Sequence, residues 1–142
     1  MRAITLQQPW ATAIAEHGKD IENRTWAPGH LLAQRFAIHA GLVFDEAGAR
    51  WIEASGLIPG ITVREMLTWP RGAVVCTTYL LSVVTESASP WFGGPVGWRL
   101  IETRRLLRPV PQRGAQGLWT LTPDAEREVL AQQMPLEGAL DA

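Results

Sequence analysis

The sequence predicts an α+β fold: a small, mostly antiparallel β-barrel of five to six strands with flanking helices. Five to six short β-prone segments run along the chain, and helical patterns separate only the early ones. Because strands and helices do not alternate regularly, a parallel βαβ sheet is disfavoured. The length of 142 residues and the 46% hydrophobic content are those of one globular domain.

The N-terminal quarter predicts a strand, a helix and a second strand. Residues 3–6 form the first strand, and Pro9 fits the first turn of a helix, where its missing N–H is not needed. Gly18 ends this helix. In a strand over residues 20–26, the two-residue period places three side chains on one face. These are Glu22, Arg24 and Trp26.

The middle of the chain predicts a strand followed by helices. Residues 35–40 alternate as a strand, in which His39 shares a face with Arg35. Asp45 can cap a helix that extends to about Ser55 and buries Trp51 and Ile52. A capping box at residues 62–65 opens another short helix.

The second half predicts the spine of the sheet. Residues 73–85 form a central strand, residues 97–102 another, which the prolines of residues 109–111 interrupt, and residues 117–121 the last. The irregular segment 87–96 between the first two carries Trp91 and Phe92, and it is a candidate lid. A terminal helix runs from Thr122-Pro123-Asp124 to about Gln133, and residues 135–142 are expected to fray.

Composition narrows the classes of function. No apolar run approaches the roughly 18 residues of a membrane span, and residues 1–6 read as a strand rather than a signal peptide, so we expect a cytoplasmic protein with no membrane partner. Cys76 lies in an apolar run and is expected to be buried. The three histidines and the single cysteine never fall at metal-ligand spacing, so neither a metal nor another cofactor is expected.

Charge permits nucleic-acid binding only at a local site. The net charge is −1 and the pI is about 6.3, which does not suit a protein that coats nucleic acid by charge alone. Five of the thirteen basic residues nevertheless fall between positions 99 and 113, which predicts a basic edge. They are Arg99, Arg104, Arg105, Arg108 and Arg113.

Lys19 is the only lysine in the chain, and the other twelve basic residues are arginine. The presence of a lysine at this one position can be explained chemically by its compact ammonium group, or alternatively by coding bias. Lys19 and Glu22 could serve as oxyanion stabiliser and water-activating base, with Arg24 holding a phosphate or orienting the glutamate. The alternative is a surface pair of Glu22 and Arg24 with a solvated Lys19.

Seven tryptophans are many for a core of this size. Some of the aromatics could stack on a base whose edge Gln8 and Glu22 read, although core packing explains each of them equally well. The candidates are Trp10, Trp26, Trp91 and Phe92, whereas Trp51 and Trp119 are assigned to the core. His39 is either a structural histidine or a group of the site.

Five spaced motifs, in this order, resemble the ASCH domain of the PUA-like barrel superfamily. The resemblance covers about residues 2–122, and residues 123–142 are then the C-terminal helix and tail of the same single domain. The motifs are Gln8-Pro9-Trp10-Ala11, then Gly18-Lys19-x-x-Glu22-x-Arg24-x-Trp26, then Ile38-His39-Ala40-Gly41, then Gly97-Trp98-Arg99-Leu100, and finally Gly114-x-Gln116-Gly117-Leu118-Trp119.

This resemblance implies a cleft beside the first helix, into which Lys19, Glu22 and Arg24 project, and a role in binding RNA or nucleosides. Some relatives are amidohydrolases of acetylated cytidine that use a lysine and, three residues later, a threonine nucleophile. Here that later position is Glu22. Other relatives are reported as ribonucleases.

Three hypotheses follow for the function. The first is a PUA-like module that binds RNA, another single-stranded nucleic acid or a modified nucleoside. Its ligand-binding residues are Gln8, Trp10, Arg24, Trp26, His39, Trp91 and Phe92. The second is a metal-independent hydrolase of a nucleoside amide or an RNA phosphodiester, with Lys19 and Glu22 as catalytic groups. The third is protein interaction through a tryptophan-rich surface, and no feature predicts an oligomeric state.

Overall fold

A computed structural model describes residues 1–133, which form one six-stranded sheet with four flanking helices. The strands are β1 (Arg2–Gln8), β2 (Ile21–Arg24), β3 (Arg35–Phe44), β4 (Ala73–Val84), β5 (Val96–Pro111) and β6 (Trp119–Thr120). The helices are α1 (Trp10–Glu16), α2 (Glu46–Ser55), α3 (Val63–Met66) and α4 (Pro123–Gln133). Strands and helices thus combine in the predicted α+β class.

The strands lie in the order β2-β5-β4-β3-β1-β6. Among the strands of residues 1–133, only β1 and β3 are parallel, with Ile4 opposite Ile38, and every other pairing is antiparallel. The predicted barrel is not fully closed, because within residues 1–133 no pairing joins the edge strands β2 and β6. These strands have four and two residues, which leaves little backbone with which to close the sheet.

The core is divided between the two faces of the sheet and a lateral helical layer. On one face, Ile4 and Ile38 pack with Ile14 of α1 and with Trp98. On the other face, alanines and valines of the sheet pack against Val129 of α4. Helices α2 and α3 bury Ile52 and Met66 beside α1, whereas Trp51 is 48% exposed, so its assignment to the core is wrong.

The predicted helix ends are confirmed by their hydrogen bonds. Asp45 Oδ1 accepts from the backbone N–H of Gly48 at 2.9 Å and begins α2. Thr62 Oγ1 accepts from the N–H of Glu65 at 3.2 Å, and Thr122 Oγ1 from that of Ala125 at 3.2 Å. Gly18, two residues after α1 ends, has a φ of 72°, which an L side chain rarely adopts.

The prediction that prolines interrupt the strand over residues 97–102 is wrong. The strand β5 continues from Val96 to Pro111, with Val110 opposite Val74. Its other neighbour, β2, pairs only with residues 96–99, so Pro109 and Pro111 lie where β5 has one partner. A proline is tolerated at such an edge because no ladder hydrogen bond is lost there.

Other strand ends differ from the predictions: β2 and β6 are shorter than expected, whereas β3 extends to Phe44. Helix α4 ends at Gln133, and the predicted fraying of residues 135–142 lies outside the described residues. None of the helices in residues 1–133 has the length and apolar character needed to span a membrane.

Candidate functional site

A cleft of about 930 Å³ opens where the parallel strands β1 and β3 end. Thr5 and Gln7 of β1, and His39 to Val43 of β3, contribute its floor and one wall. The loop of residues 112–117, between β5 and β6, forms a second wall, and Arg24 reaches the cleft from β2. Arg24 and Arg113 are among the lining residues, and no aspartate or glutamate of residues 1–133 is.

Arg24 is the outer member of a chain of three charged side chains. Lys19 is only 3% exposed, and its Nζ donates to Glu22 Oε1 at 3.0 Å and to the carbonyl oxygen of Ile21. Glu22 is 7% exposed, and its other oxygen, Oε2, lies 3.1 Å from Arg24 Nε. Both carboxylate oxygens of Glu22 therefore face a cation.

The turn after α1 produces this arrangement. The backbone N–H of Lys19 donates to the carbonyl of Ala13 at 3.1 Å, which directs the chain back along the helix. Lys19 Nζ then lies 5.6 Å from the centroid of the Trp10 ring, a cation–π distance. The alternative of a solvated Lys19 is wrong, because the side chain is only 3% exposed.

Aromatic rings support the guanidinium of Arg24. Its Cζ is 5.6 Å from the centroid of Trp26 and 6.0 Å from that of Trp98, and the two indoles meet edge to face at 5.0 Å. The Nε atom is buried and makes no hydrogen bond, so its contact with Glu22 is ionic without good hydrogen-bond alignment. No hydrogen bond from either Nη group reaches another side chain or carbonyl of residues 1–133.

His39 lies on the cleft floor in a chain of hydrogen bonds whose direction is fixed at both ends. Its Nε2 is 2.6 Å from the carbonyl oxygen of Gln112, which can only accept. Trp119 Nε1 can only donate, and it donates to Thr5 Oγ1 at 3.0 Å. The Thr5 hydroxyl lies 3.2 Å from His39 Nδ1, and it donates to this nitrogen when the imidazole is neutral. The Gln112 carbonyl therefore fixes a proton on His39 Nε2, and burial, which lowers the pKa of the imidazole, favours its neutral form.

Gly114 brings the second wall against this floor. A Cβ atom at this position would lie 2.6 Å from His39 Cε1 and 2.8 Å from Thr5 Oγ1. Only a glycine allows the backbone of the loop to approach so closely.

The structure brings together four of the predicted site residues. Lys19, Glu22, Arg24 and Trp26 form one contiguous group, in which the predicted pairing of Glu22 with Arg24 is present. Of the predicted site residues, Arg24 and His39 line the cleft itself.

Gln8 lies away from the cleft. Its side chain is buried, with Nε2 donating to Thr12 Oγ1 and to the carbonyl of Pro70, both at 2.7 Å. Its Oε1 accepts from the backbone N–H of Thr12 at 2.9 Å. These contacts hold the start of α1, and they leave the amide no capacity to read a ligand.

Three of the predicted ligand-binding aromatics also lie elsewhere. Trp10 donates from Nε1 to Asp45 Oδ2 at 2.8 Å and packs beside Trp51. Trp91 is 7% exposed, and Phe92 packs against the same helical layer, so the expectation of an aromatic lid is wrong. Asn23 fixes the segment that carries Trp91 and Phe92, because its Oδ1 accepts hydrogen bonds from the backbone N–H groups of Gly93 and Gly94 at 2.8 and 3.1 Å.

Several cleft residues were not singled out as site residues from the sequence. Thr5 and Gln112 are placed by strand pairing and by hydrogen bonds that connect distant segments. Two signals were available: Arg113 belongs to the arginine-rich stretch, and Gly114 begins the last family-like motif. Within residues 1–133 no cluster of three His, Cys, Asp or Glu side chains is placed to hold a metal ion.

Comparison with solved structures identifies the fold. No family model matches the chain, and no curated protein matches its sequence. The crystal structure of ASCH from Zymomonas mobilis aligns with a TM-score of 0.54 over 92% of this chain and 93% of that one, at 17% identity. A point variant of the same protein aligns with a TM-score of 0.54 over 92% and 96%, again at 17% identity. The chain therefore has an ASCH-like fold, as its motifs predict.

Proposed function

We propose that the cleft binds a nucleotide unit of single-stranded RNA, or a modified nucleoside. The observation that carries this proposal is the charge of the lining: Arg24 and Arg113 face the cleft without an acidic neighbour in it. Arginine is the preferred side chain for contacts with phosphates and base edges.

The dimensions and the walls of the cleft suit such a ligand. A volume of about 930 Å³ lies in the range of pockets that hold small molecules and cofactors. Leu42 and Val43 are exposed on one wall, and they offer an apolar surface to the face of a base. On the opposite wall, the backbone of residues 114–117 can exchange hydrogen bonds with base edges.

The hydrolase alternative has less support from the geometry. A general base must reach a water molecule or a substrate proton, yet both oxygens of Glu22 face cations. Lys19 Nζ is likewise engaged by Glu22 and by the carbonyl of Ile21. Neither group is among the residues that line the cleft. These positions favour support of Arg24 over chemistry on a bound ligand.

Fluorescence anisotropy with end-labelled short single-stranded RNA tests the proposal. We expect Arg24→Gln to weaken binding by about one to two orders of magnitude, as loss of a charged hydrogen-bonded contact does. Arg50→Gln is the matched control, because Arg50 is exposed on α2, pairs with Glu46 and does not line the cleft. It should bind as the unaltered protein does.

The same samples, together with a panel of modified nucleosides, are then analysed for products by chromatography. Intact ligands that bind in an Arg24-dependent manner support the proposal. Turnover that disappears in Lys19→Ala would replace it with the hydrolase, and absence of both binding and turnover would refute it.

A further inference from the structure

We infer that the cleft recognises a phosphate group through Arg24, so that its ligand is a nucleotide or a phosphate of an RNA chain rather than a free nucleoside. This inference rests on the proposed function and names the class of ligand. It follows from the orientation of one guanidinium, from the charges behind it and from the other polar groups of the floor.

The orientation of Arg24 leaves its two Nη groups for a ligand. Its Nε edge is turned toward Glu22 and is buried. The two Nη groups carry four N–H donors, and none of these is used by an acceptor in residues 1–133. A planar pair of donors of this kind matches two oxygens of a phosphate in a bidentate contact.

Lys19 preserves the positive charge of Arg24. Glu22 alone would neutralise the guanidinium that it orients, and the cleft would then lose most of its attraction for an anion. Because Lys19 Nζ lies 3.0 Å from Glu22 Oε1, the three side chains together keep one net positive charge. Arg113 adds a second positive charge from the opposite wall.

Three of the other polar side chains that line the cleft are already committed to hydrogen bonds within the protein. Thr5 and His39 are hydrogen-bonded to each other, to Trp119 and to the Gln112 carbonyl. The amide of Gln112 donates to the Arg113 carbonyl at 2.7 Å and accepts from Thr122. Recognition of an uncharged nucleoside by Thr5, His39 or Gln112 would therefore have to break existing hydrogen bonds, whereas a phosphate at Arg24 breaks none.

Isothermal titration calorimetry with nucleosides and nucleotides tests this inference. The four common ribonucleosides, their 5′-monophosphates and inorganic phosphate are titrated into the unaltered protein, Arg24→Gln, Arg24→Lys and the control Arg50→Gln. We expect at least one monophosphate to bind about tenfold or more tightly than its nucleoside. Arg24→Gln should remove this preference, and Arg24→Lys, which keeps the charge without the planar fork, should retain only part of it. Thermal unfolding of each variant verifies that it is folded.

The source of the phosphate is distinguished by a dinucleoside monophosphate that has no terminal phosphate. If it binds as tightly as the mononucleotides, the site reads the RNA backbone; if it binds only as a nucleoside does, the site reads a terminal phosphate. Both results support the inference.

Equal affinity for nucleosides and monophosphates would overturn the inference and leave the proposed function standing. Inorganic phosphate that binds as tightly as the nucleotides would overturn it as well, because base and sugar would then contribute nothing. If short RNA, nucleosides and nucleotides all fail to bind, the proposed function fails together with it.

Discussion

The floor of the cleft is organised by hydrogen bonds whose direction is dictated by a few atoms. The Trp119 indole can only donate and the Gln112 carbonyl can only accept, so with a neutral imidazole Thr5 donates to His39 Nδ1 and His39 Nε2 donates to Gln112. His39 is 2% exposed and is satisfied on both nitrogens. Of the two roles that the sequence left open for His39, the structural one fits these contacts.

The buried, neutral state of His39 should make stability depend on pH. The pKa of His39 is lower in the folded protein than in the unfolded chain, so on acidification the unfolded chain binds a proton at a higher pH. The free energy of unfolding therefore decreases as pH falls below the ordinary histidine pKa of about 6.5. The loss continues until pH reaches the folded pKa, with a slope of at most about 1.4 kcal/mol per pH unit. The free energy of unfolding, measured in urea between pH 5 and 8, should therefore vary more steeply with pH for the unaltered protein than for His39→Gln. Equal pH slopes would contradict this prediction.

Gly114 should not tolerate a methyl group. Gly114→Ala places a Cβ against His39 and Thr5 at distances well below van der Waals contact, and we expect a loss of about 1–3 kcal/mol in the free energy of unfolding. The matched control is Gly93→Ala, whose Cβ would come no closer than 3.6 Å to another residue. Chemical denaturation of both variants measures the difference, and equal stabilities would show that the loop moves away without cost.

At the level of elements, the short strand β2 and the turn before it carry the charged part of the site. Alternation along a strand was sufficient to predict that Glu22 and Arg24 share a face. The burial of Lys19 could not be predicted, because it depends on Trp10 and on the packing of α1, which the periodicity of a strand does not reveal. The same limit applied to Trp91, whose loop looked exposed in sequence but is held down by Asn23.

Removal of the Lys19 cation should lower the stability of the fold, because the buried charge of Glu22 then loses one of its two partners. Lys19→Met leaves a buried carboxylate with one oxygen uncompensated, and we expect a loss of about 3–5 kcal/mol in the free energy of unfolding. The double variant Lys19→Met/Glu22→Gln removes both charges and should recover most of that loss. The exposed pair of Arg50 and Glu46 provides the control, since Arg50→Met should change stability by about 0–1 kcal/mol. A double variant as unstable as the single one would contradict this account.

Two adjacent glutamines at the end of β1 should behave differently. Gln8→Leu removes three hydrogen bonds and leaves the Pro70 carbonyl and the Thr12 N–H without their partner, so we expect a loss of about 2–4 kcal/mol in the free energy of unfolding. Gln7 is exposed and lines the cleft. Gln7→Leu should leave the unfolding midpoint nearly unchanged. Similar midpoints for both variants would contradict this prediction.

At the level of the whole molecule, the sequence predicted the fold class well because its motifs are spread over nearly the whole chain. It overestimated closure of the sheet, since the lengths of β2 and β6 depend on pairing partners that local patterns do not reveal. The cleft was the least predictable feature. Its walls come from β1, β3, β2 and the loop of residues 112–117, which are far apart in sequence.

The overall charge should limit the electrostatic part of binding. With a net charge of −1 and two arginines in the cleft, few phosphates can be contacted at once. Each contact with a single strand contributes a slope of about −0.7 to the logarithm of affinity against the logarithm of salt concentration, so two contacts predict a slope of about −1.4. Anisotropy titrations with RNA at increasing salt measure it. A slope several times steeper would place binding on the arginine-rich stretch of β5 instead.

The fixed tautomer of His39 also affects how the cleft responds to acidity. The cationic side chains that line it within residues 1–133 are arginines, a residue type that keeps its charge at any working pH, and burial, which lowers the pKa of His39, favours the neutral form of its imidazole. Around neutral pH, the charge of the cleft therefore stays constant. A monophosphate loses its second proton near pH 6, so any change of affinity between pH 6.5 and 8 would report the protonation of the ligand and not that of the protein.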